Sequence, residues 1–284
     1  MTQPSPLVSI VIPVHNGGEH LIDSVRSALD QDYPNLEVVV IDNASTDGAV
    51  DLLHRLEDPR LQVHRYDELI PAADNWTRAV QAGKGTYTKL LCADDLLEPG
   101  CVSRHVQILH EHPTCGMVAG RRRLIREDGS VIKQSWGLDG LSGAVNGSEA
   151  IARCLRAGGN IFGEPGAVLF RTSTIRAALP WLHEAGYVVD VDLFVRVLTS
   201  TDLWADQSVV AAFRVSTGQW SARVAGAQSQ DFSWLISKTR REHPEILSTV
   251  DAARGHALCR IRRVLRSALY AREAYSKRRH RTAG

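Results

Sequence analysis

An α/β fold built on a doubly wound, mainly parallel sheet is what the sequence predicts, and three observations predict it. Runs of apolar, largely β-branched residues alternate with amphipathic helical patterns through the first 120 residues. These runs are continuously apolar, as strands buried on both faces are, rather than alternating as in a half-exposed antiparallel sheet. Polar residues with chemical potential cluster just after three of the runs, where open α/β sheets bind ligands.

The elements follow in order. Residues 7–14, LVSIVIPV, read as a first strand, and the segment after it places Leu21, Val25, Ala28 and Leu29 on one helical face. LEVVVID (36–42) is a second strand, followed by a helix that Ser45, Thr46 or Asp47 can cap. RLQVHRY (60–66) is a third strand, AADNWTRAVQAG (72–83) a helix, and TYTKLLCA (86–93) a fourth strand. A helix with Pro99 in its first turn comes next. Thereafter the strict alternation ends. Residues 117–136 suggest an antiparallel hairpin turning at Asp128-Gly129. A helix at 147–158, entered through an Asn-Gly-Ser turn with Ser148 as its cap, precedes a strand at 166–171. A helix at 190–200 and a strand at 205–215 complete a smaller mixed part. With neither an internal repeat nor a low-complexity linker, residues 1–220 form one expected domain and 221–284 a basic, helical C-terminal extension.

Composition narrows the class. With 44% hydrophobic and 23% charged residues the chain has the make-up of a globular protein with a sizeable core. Its five cysteines are odd in number and contain no Cys-x-x-Cys pair, which argues against a disulfide framework or a structural zinc site and for a reducing, cytoplasmic setting. The first apolar run is only a strand long and has no basic region before it, so neither a signal peptide nor a membrane span is expected. The formal net charge of +1 conceals an asymmetry: from Arg254 onward ten Lys/Arg face one acid, about +9 against −8 for the rest.

Three strand ends carry the chemistry: Pro13-Val14-His15-Asn16, Asp42-Asn43, and Ala93-Asp94-Asp95. Adjacent carboxylates at the end of a buried strand repel each other and need a cation, solvent or a reaction. The residues at 7–48, AGKGTYTKLLCADDLLEPG (82–100), GNIFGEPGAVLFR (159–171) and YVVDVDLFVRVL (187–198), in that order and spacing, resemble the family 2 glycosyltransferases of the GT-A fold. The resemblance covers roughly residues 7–216. It implies transfer of a sugar from a nucleotide donor to an acceptor hydroxyl, with inversion at the anomeric carbon and a divalent metal, Mn2+ or Mg2+.

By that resemblance Asp94 or Asp95 binds the metal, with Cys92 standing where many members have a further acid. Pro13, Val14, His15, Asn16, Asp42, Asn43, Asn75, Ala93 and Asp94 map to the nucleotide-binding positions. Asn43 replaces a second Asp, so UDP-, dTDP- and GDP-linked donors all remain open. Asp190 maps to the general base of the family's acidic helix-start pattern, with Val189 in place of the preceding acid and Asp192 as the rival. Glu164, Asp192 and Trp220 are candidates for contact with acceptor or donor sugar; Glu164 reads equally as a loop acid. Ser216 stands where relatives often have a histidine.

Other features read as structural. Arg121, Arg122 and Arg123 suit a solvated strand face. Leu258, Ile261, Leu265, Ala268 and Leu269 make an apolar helical stripe flanked by arginines, either packed on the domain or laid on an anionic membrane surface near a lipid-linked acceptor. A glycan or small-molecule acceptor is equally compatible, the location being cytoplasmic or at the inner membrane face. Nucleic acid is not expected, for lack of a binding motif. Two rival readings are a sugar-nucleotide-forming nucleotidyltransferase, which would carry a basic loop absent from VIPVHNGGEH, and a catalytically degenerate nucleotide-sugar-binding protein.

Overall fold

A computed structural model describes residues 5–215 and 227–262. The strands are β1 (Val8–Val14), β2 (Leu36–Asn43), β3 (Leu61–Tyr66), β4 (Tyr87–Leu90), β5 (Leu96–Leu97), β6 (Cys115–Arg126), β7 (Val131–Trp136), β8 (Gly143–Val145), β9 (Val168–Arg171) and β10 (Asp202–Val215). They form a single sheet in the order β3-β2-β1-β4-β9-β6-β10-β5, with β7 added to β6 and β8 to β10. The helices are α1 (Leu21–Leu29), α2 (Ala72–Ala82), α3 (Cys101–Glu111), α4 (Gly147–Ala157), α5 (Thr172–Ala177), α6 (Val189–Leu198) and α7 (Gln228–Glu242). A further helix, α8, runs over 249–262.

The period-2 pleat explains the two cores. Val11 of β1, with Val39 and Ile41 of β2, faces a core shared with α2, α4, α6 and α7. Ile10 and Ile12, with Val38 and Val40, face a second core shared with α1 and α3. The continuous apolar reading of β1 and β2 is thus the mark of burial on both faces. β3 departs from it: as the edge strand its last four residues are exposed. Phe232, Leu235, Ile236, Leu247, Ala252 and Cys259 belong to the first core, so α7 and α8 are packed into the same body as the sheet.

Strand direction decides where the ends meet. β1, β2 and β4 run parallel, and β9 lies antiparallel between β4 and β6. β6 and β10 are parallel to each other. One edge therefore receives the carboxyl ends of β1, β2, β4, β6 and β10 together with the lead-in to β9. The fully buried Lys89 of β4 fastens that lead-in by donating to the Gly166 carbonyl at 2.8 Å and the Val168 carbonyl at 3.0 Å.

Several local expectations are corrected. The segment after β2 is a short 3-10 stretch, Val50–Leu56, rather than an α-helix. The helix at 147 is capped by Asn146, whose side chain accepts from Ser148 N–H at 3.1 Å, and not by the Ser148 hydroxyl. The hairpin does turn at Asp128-Gly129, with Gly129 in the left-handed region at φ 83°. Arg122 is buried rather than solvated, for a reason found in the site below.

Candidate active site

The shared edge holds a cleft of about 1280 Å³. The first wall is the loop after β1. Asn16 takes a left-handed φ of 53°, accepts from Thr46 N–H at 2.8 Å through Oδ1, and donates its own N–H to Ser45 Oγ at 2.9 Å. His15 Nδ1 lies 2.8 Å from the Asn43 carbonyl. These bonds join the two strand ends into one rigid lip.

Two residues expected at the nucleotide have partners within the protein. Asp42 does not line the cleft; its carboxylate caps Ser45 N–H at 3.0 Å and meets Arg65 at 3.3 Å. Asn43 does line it, with its carboxamide anchored to the backbone of Ile70, donating to the carbonyl at 2.8 Å and accepting from the N–H at 3.0 Å. These two bonds fix the orientation of the Asn43 carboxamide at the cleft wall. Asn75 is the opposite case. It is buried on the cleft wall, its Nδ2 reaches the Ile41 carbonyl at 3.4 Å, and its Oδ1 has no partner. Pro13, Val14, His15, Asn16 and Ala93 line the cleft.

Asp94 and Asp95 sit on the next stretch of wall, after β4. Asp95 is almost fully buried and accepts Arg214 N–H at 3.0 Å. Arg214 itself is spent on carbonyls, donating to Asp94 at 3.0 Å, Arg126 at 3.1 Å and Glu127 at 2.9 Å. Burial, then the charge of Asp94, pushes the Asp95 carboxyl well above the usual range, and burial raises Asp94 too. Burial likewise pushes the Cys92 thiol up, followed by the fields of Asp95, Asp94, Asp190 and Glu164, so Cys92 is a neutral side chain amid four acids. Among the described residues no cluster of three or more His, Cys, Asp or Glu side chains could hold a metal alone. Two adjacent hard carboxylates with unfavourable charge nonetheless suit a cation whose remaining ligands are phosphate oxygens and water. His20 also lines the cleft, its pKa lowered by burial and then by Arg214.

The far wall begins with Asp190, in the first turn of α6, where the helix dipole favours a carboxylate. Its Oδ1 accepts Val191 N–H at 2.8 Å and its Oδ2 accepts from Asn160 Nδ2 at 2.9 Å. Burial, then Glu164, raises its pKa to about 7. Glu164 is paired with Arg122, whose Nε lies 2.6 Å from its Oε2 and whose guanidinium stands 4.8 Å from the Trp136 ring centre. That pairing is why Arg122 is buried. Asp192 is not at the cleft: it is 1% exposed and held by Arg196 at 2.9 Å and Lys238 at 2.7 Å, which corrects its expected role beside substrate. One residue after Asp190 the helix points the chain inward, and two residues on the carboxylate meets α7 instead. Phe232, Leu258, Ile261 and Arg262 close this side. Trp220 and Ser216, and Leu265, Ala268 and Leu269 of the basic stripe, lie outside the described residues.

Sequence reasoning missed Asn160, Arg214 and His20, read Arg122 as solvated, and gave packing on the domain as one of two readings for the helix that becomes α8. The glycine pair before Asn160 was the available signal, since paired glycines mark close approach of another backbone. Gly158 has φ 65°, and a Cβ there would lie 2.5 Å from Cys259 N.

Comparison with known proteins bears on the family and the fold. The family described as glycosyl transferase family 2 matches residues 9–174, more than half of the chain. A putative teichuronic acid biosynthesis glycosyltransferase, TuaG, of Bacillus subtilis is 31% identical over 132 residues, 46% of this chain and 52% of that one. A Mycobacterium tuberculosis protein described as uncharacterized, MT1568, is 26% identical over 200 residues, 68% of this chain and 62% of its own length. The chain thus spans about half the length of the first of these relatives. Among solved structures, S. aureus TarS 1-349 in complex with UDP-GlcNAc superposes with TM-score 0.66 at 16% identity, covering 83% of this chain and 66% of that one. The mannosyltransferase PcManGT of Pyrobaculum calidifontis, in complex with GDP-Man and Mn2+, gives TM-score 0.66 at 18% identity over 96% of this chain and 76% of that one. The fold is that of the GT-A glycosyltransferases.

Proposed function

The chain belongs to glycosyl transferase family 2, and from that premise we propose that it moves a sugar from a nucleoside diphosphate donor to an acceptor hydroxyl with inversion, Asp190 serving as general base. The observation that carries this reading is the pairing of unlike acids on one cleft: Asp94 and Asp95 after β4, and Asp190 at the start of α6 with a pKa of about 7. A carboxyl that titrates near neutrality suits proton abstraction at working pH. The acceptor oxygen attacks the anomeric carbon as the bond to the diphosphate breaks; the electron pair leaves with the diphosphate, and the acceptor proton passes to Asp190 Oδ2. Asp94 and Asp95 would hold a divalent cation that neutralises charge on the departing diphosphate.

Several residues then have work of their own. Arg214 ties Asp95 and the Asp94 carbonyl to β10 and the hairpin, keeping the pair at the cleft. Asn43 fixes Ile70, and Asn75 offers its unpartnered oxygen to a donor N–H or hydroxyl of the nucleotide. The loop from Pro13 to His20 has no Lys or Arg to grip a triphosphate, which disfavours nucleotidyl transfer. The hydroxyl acceptor is glycan, lipid-linked or small. Among the described residues no helix is long and apolar enough to cross a membrane.

The test is release of nucleoside diphosphate from UDP-GlcNAc and from GDP-Man, with Mn2+ and without, by wild type and by Asp190→Asn. Turnover in the wild type that falls at least about 100-fold in the variant supports the reading. Equal turnover by the two proteins refutes the assignment of Asp190.

A further inference from the structure

Asn160 belongs to the turn between α4 and β9, and every polar atom of its side chain is engaged. Its Oδ1 accepts two backbone N–H groups, from Phe162 at 2.9 Å and Gly163 at 3.1 Å. Its Nδ2 donates to the Gly163 carbonyl at 2.8 Å and to Asp190 Oδ2 at 2.9 Å. The two accepted bonds settle which end of the carboxamide is oxygen, so the nitrogen has to face the carboxylate. With Val191 N–H on Oδ1, the Asp190 carboxylate is gripped at both oxygens and cannot rotate without losing a bond.

The turn is itself held from behind. A Cβ at Gly158 would lie 2.5 Å from Cys259 N and 2.8 Å from the Gly255 carbonyl, and one at Gly159 would lie 2.8 Å from Arg262 Cδ. Helix α8 thus rests directly on the backbone of the two residues preceding Asn160. Arg156, at the end of α4, pairs with Asp251 of α8 at 2.7 Å and pins the same contact.

From this geometry we propose that Asn160 is a positioning residue for Asp190, and that α8 acts as the backing plate that keeps Asn160 in place. The inference rests on the reading of Asp190 as base and extends it to a residue that acts through the Asp190 carboxylate and to the helix behind that residue. A donated N–H favours the ionised carboxylate, which opposes the burial and the Glu164 charge that raise the Asp190 pKa. The other groups facing this carboxylate are Arg122 from β6, Cys92 from the loop after β4 and Cys154 from α4, with Arg262 of α8 facing Cys154. Asn160 is the neutral donor among them. It orients the base while leaving it basic enough to accept a proton.

The experiment is a cycle of wild type, Asn160→Ala, Asp190→Asn and the double variant, using the full chain without metal. Urea unfolding from pH 5 to 9 reads the titration of Asp190 as the part of the pH dependence that disappears with Asp190→Asn. In Asn160→Ala that titration is expected to move up by about one pH unit, and the shift is expected to vanish in the Asp190→Asn background. In parallel, nucleoside diphosphate release should lose on the order of tenfold in kcat at pH 7 with donor KM unchanged, and its acid limb should move up by the same amount. Should Asn160→Ala fail to fold, the isosteric Asn160→Asp retains the oxygen that accepts the two backbone N–H groups and sets a second carboxyl beside Asp190, for an upward shift of more than about one unit. An unchanged Asp190 titration in Asn160→Ala, or in Asn160→Asp when that is the variant that folds, overturns the proposal. An Asp190→Asn protein that still turns over donor overturns the base assignment instead, while the titration cycle continues to report on Asn160.

Discussion

Replacing Asp190 by Asn should make the protein more stable relative to wild type as pH rises from about 4 to 8. The Asp190 carboxyl rises from 3.8 to about 7 in the folded protein, so between those values the native state holds a proton that the unfolded chain releases. Stability from this group is fully present below the unfolded value and is lost as pH climbs through the folded one. At about 1.36 kcal/mol per unit the full shift would cost roughly 4 kcal/mol by pH 8. Asp190 lines an open cleft and is partly exposed, and solvent screening brings the expected loss to about 2 kcal/mol. Asn keeps the shape and removes the charge; its single oxygen can accept from only one of Val191 N–H and Asn160 Nδ2, a cost that does not vary with pH. Urea unfolding of wild type and Asp190→Asn, without metal, should be compared at pH 4, where little of that loss has accrued, and at pH 8. From the lower to the higher pH the variant should gain about 2 kcal/mol on wild type, other carboxyls cancelling in the difference. Parallel pH profiles would refute the argument that burial and Glu164 hold this carboxyl near neutrality.

Three more perturbations follow from the same contacts. Asp94→Asn and Asp95→Asn each relieve a buried repulsion, so both should unfold at higher temperature than wild type at pH 8 without metal, and neither should show the extra thermal shift that UDP with Mn2+ gives the wild type. Arg122→Met strips Glu164 of its cation inside the protein and should cost about 3–5 kcal/mol in urea unfolding at pH 7; adding Glu164→Gln should restore most of it, and no recovery would count against the pair. Gly255→Ala places a Cβ 2.3 Å from the Leu155 carbonyl and should cost about 1–3 kcal/mol. The buried Cys259 of α8 should then react with iodoacetamide faster than in wild type.

Much of the architecture was legible because it rests on local pattern. β1 and β2 are continuously apolar since both faces are covered, and the polar residues that end β1, β2 and β4 fall on one edge because parallel strands end together. Asp190 was found through an ordered motif at a helix start. What escaped reading are pairings across long separations. Arg122 looked solvated until Glu164, 42 residues on, was seen beside it. Asp192 looked like a rival base until Lys238, 46 residues on, was seen to hold it. The Asn43 amide is anchored to the Ile70 backbone, 27 residues on. Arg214 serves Asp95 from 119 residues away.

By itself, then, the sequence determined the parallel α/β core, the three polar strand ends and the family. Hydrophobic periodicity and motif order are properties of neighbouring residues, and they survive in one dimension. The tertiary structure alone decided which polar groups are free to meet a substrate and which are already satisfied. It turned Asp42 and Asp192 to partners away from the cleft, anchored Asn43 to Ile70 at its wall, left the Asn75 oxygen and Asp190 facing it, and brought α8 against the turn that holds Asn160. A buried polar atom must find a partner wherever the fold supplies one, and the supply depends on packing that no local stretch of sequence contains.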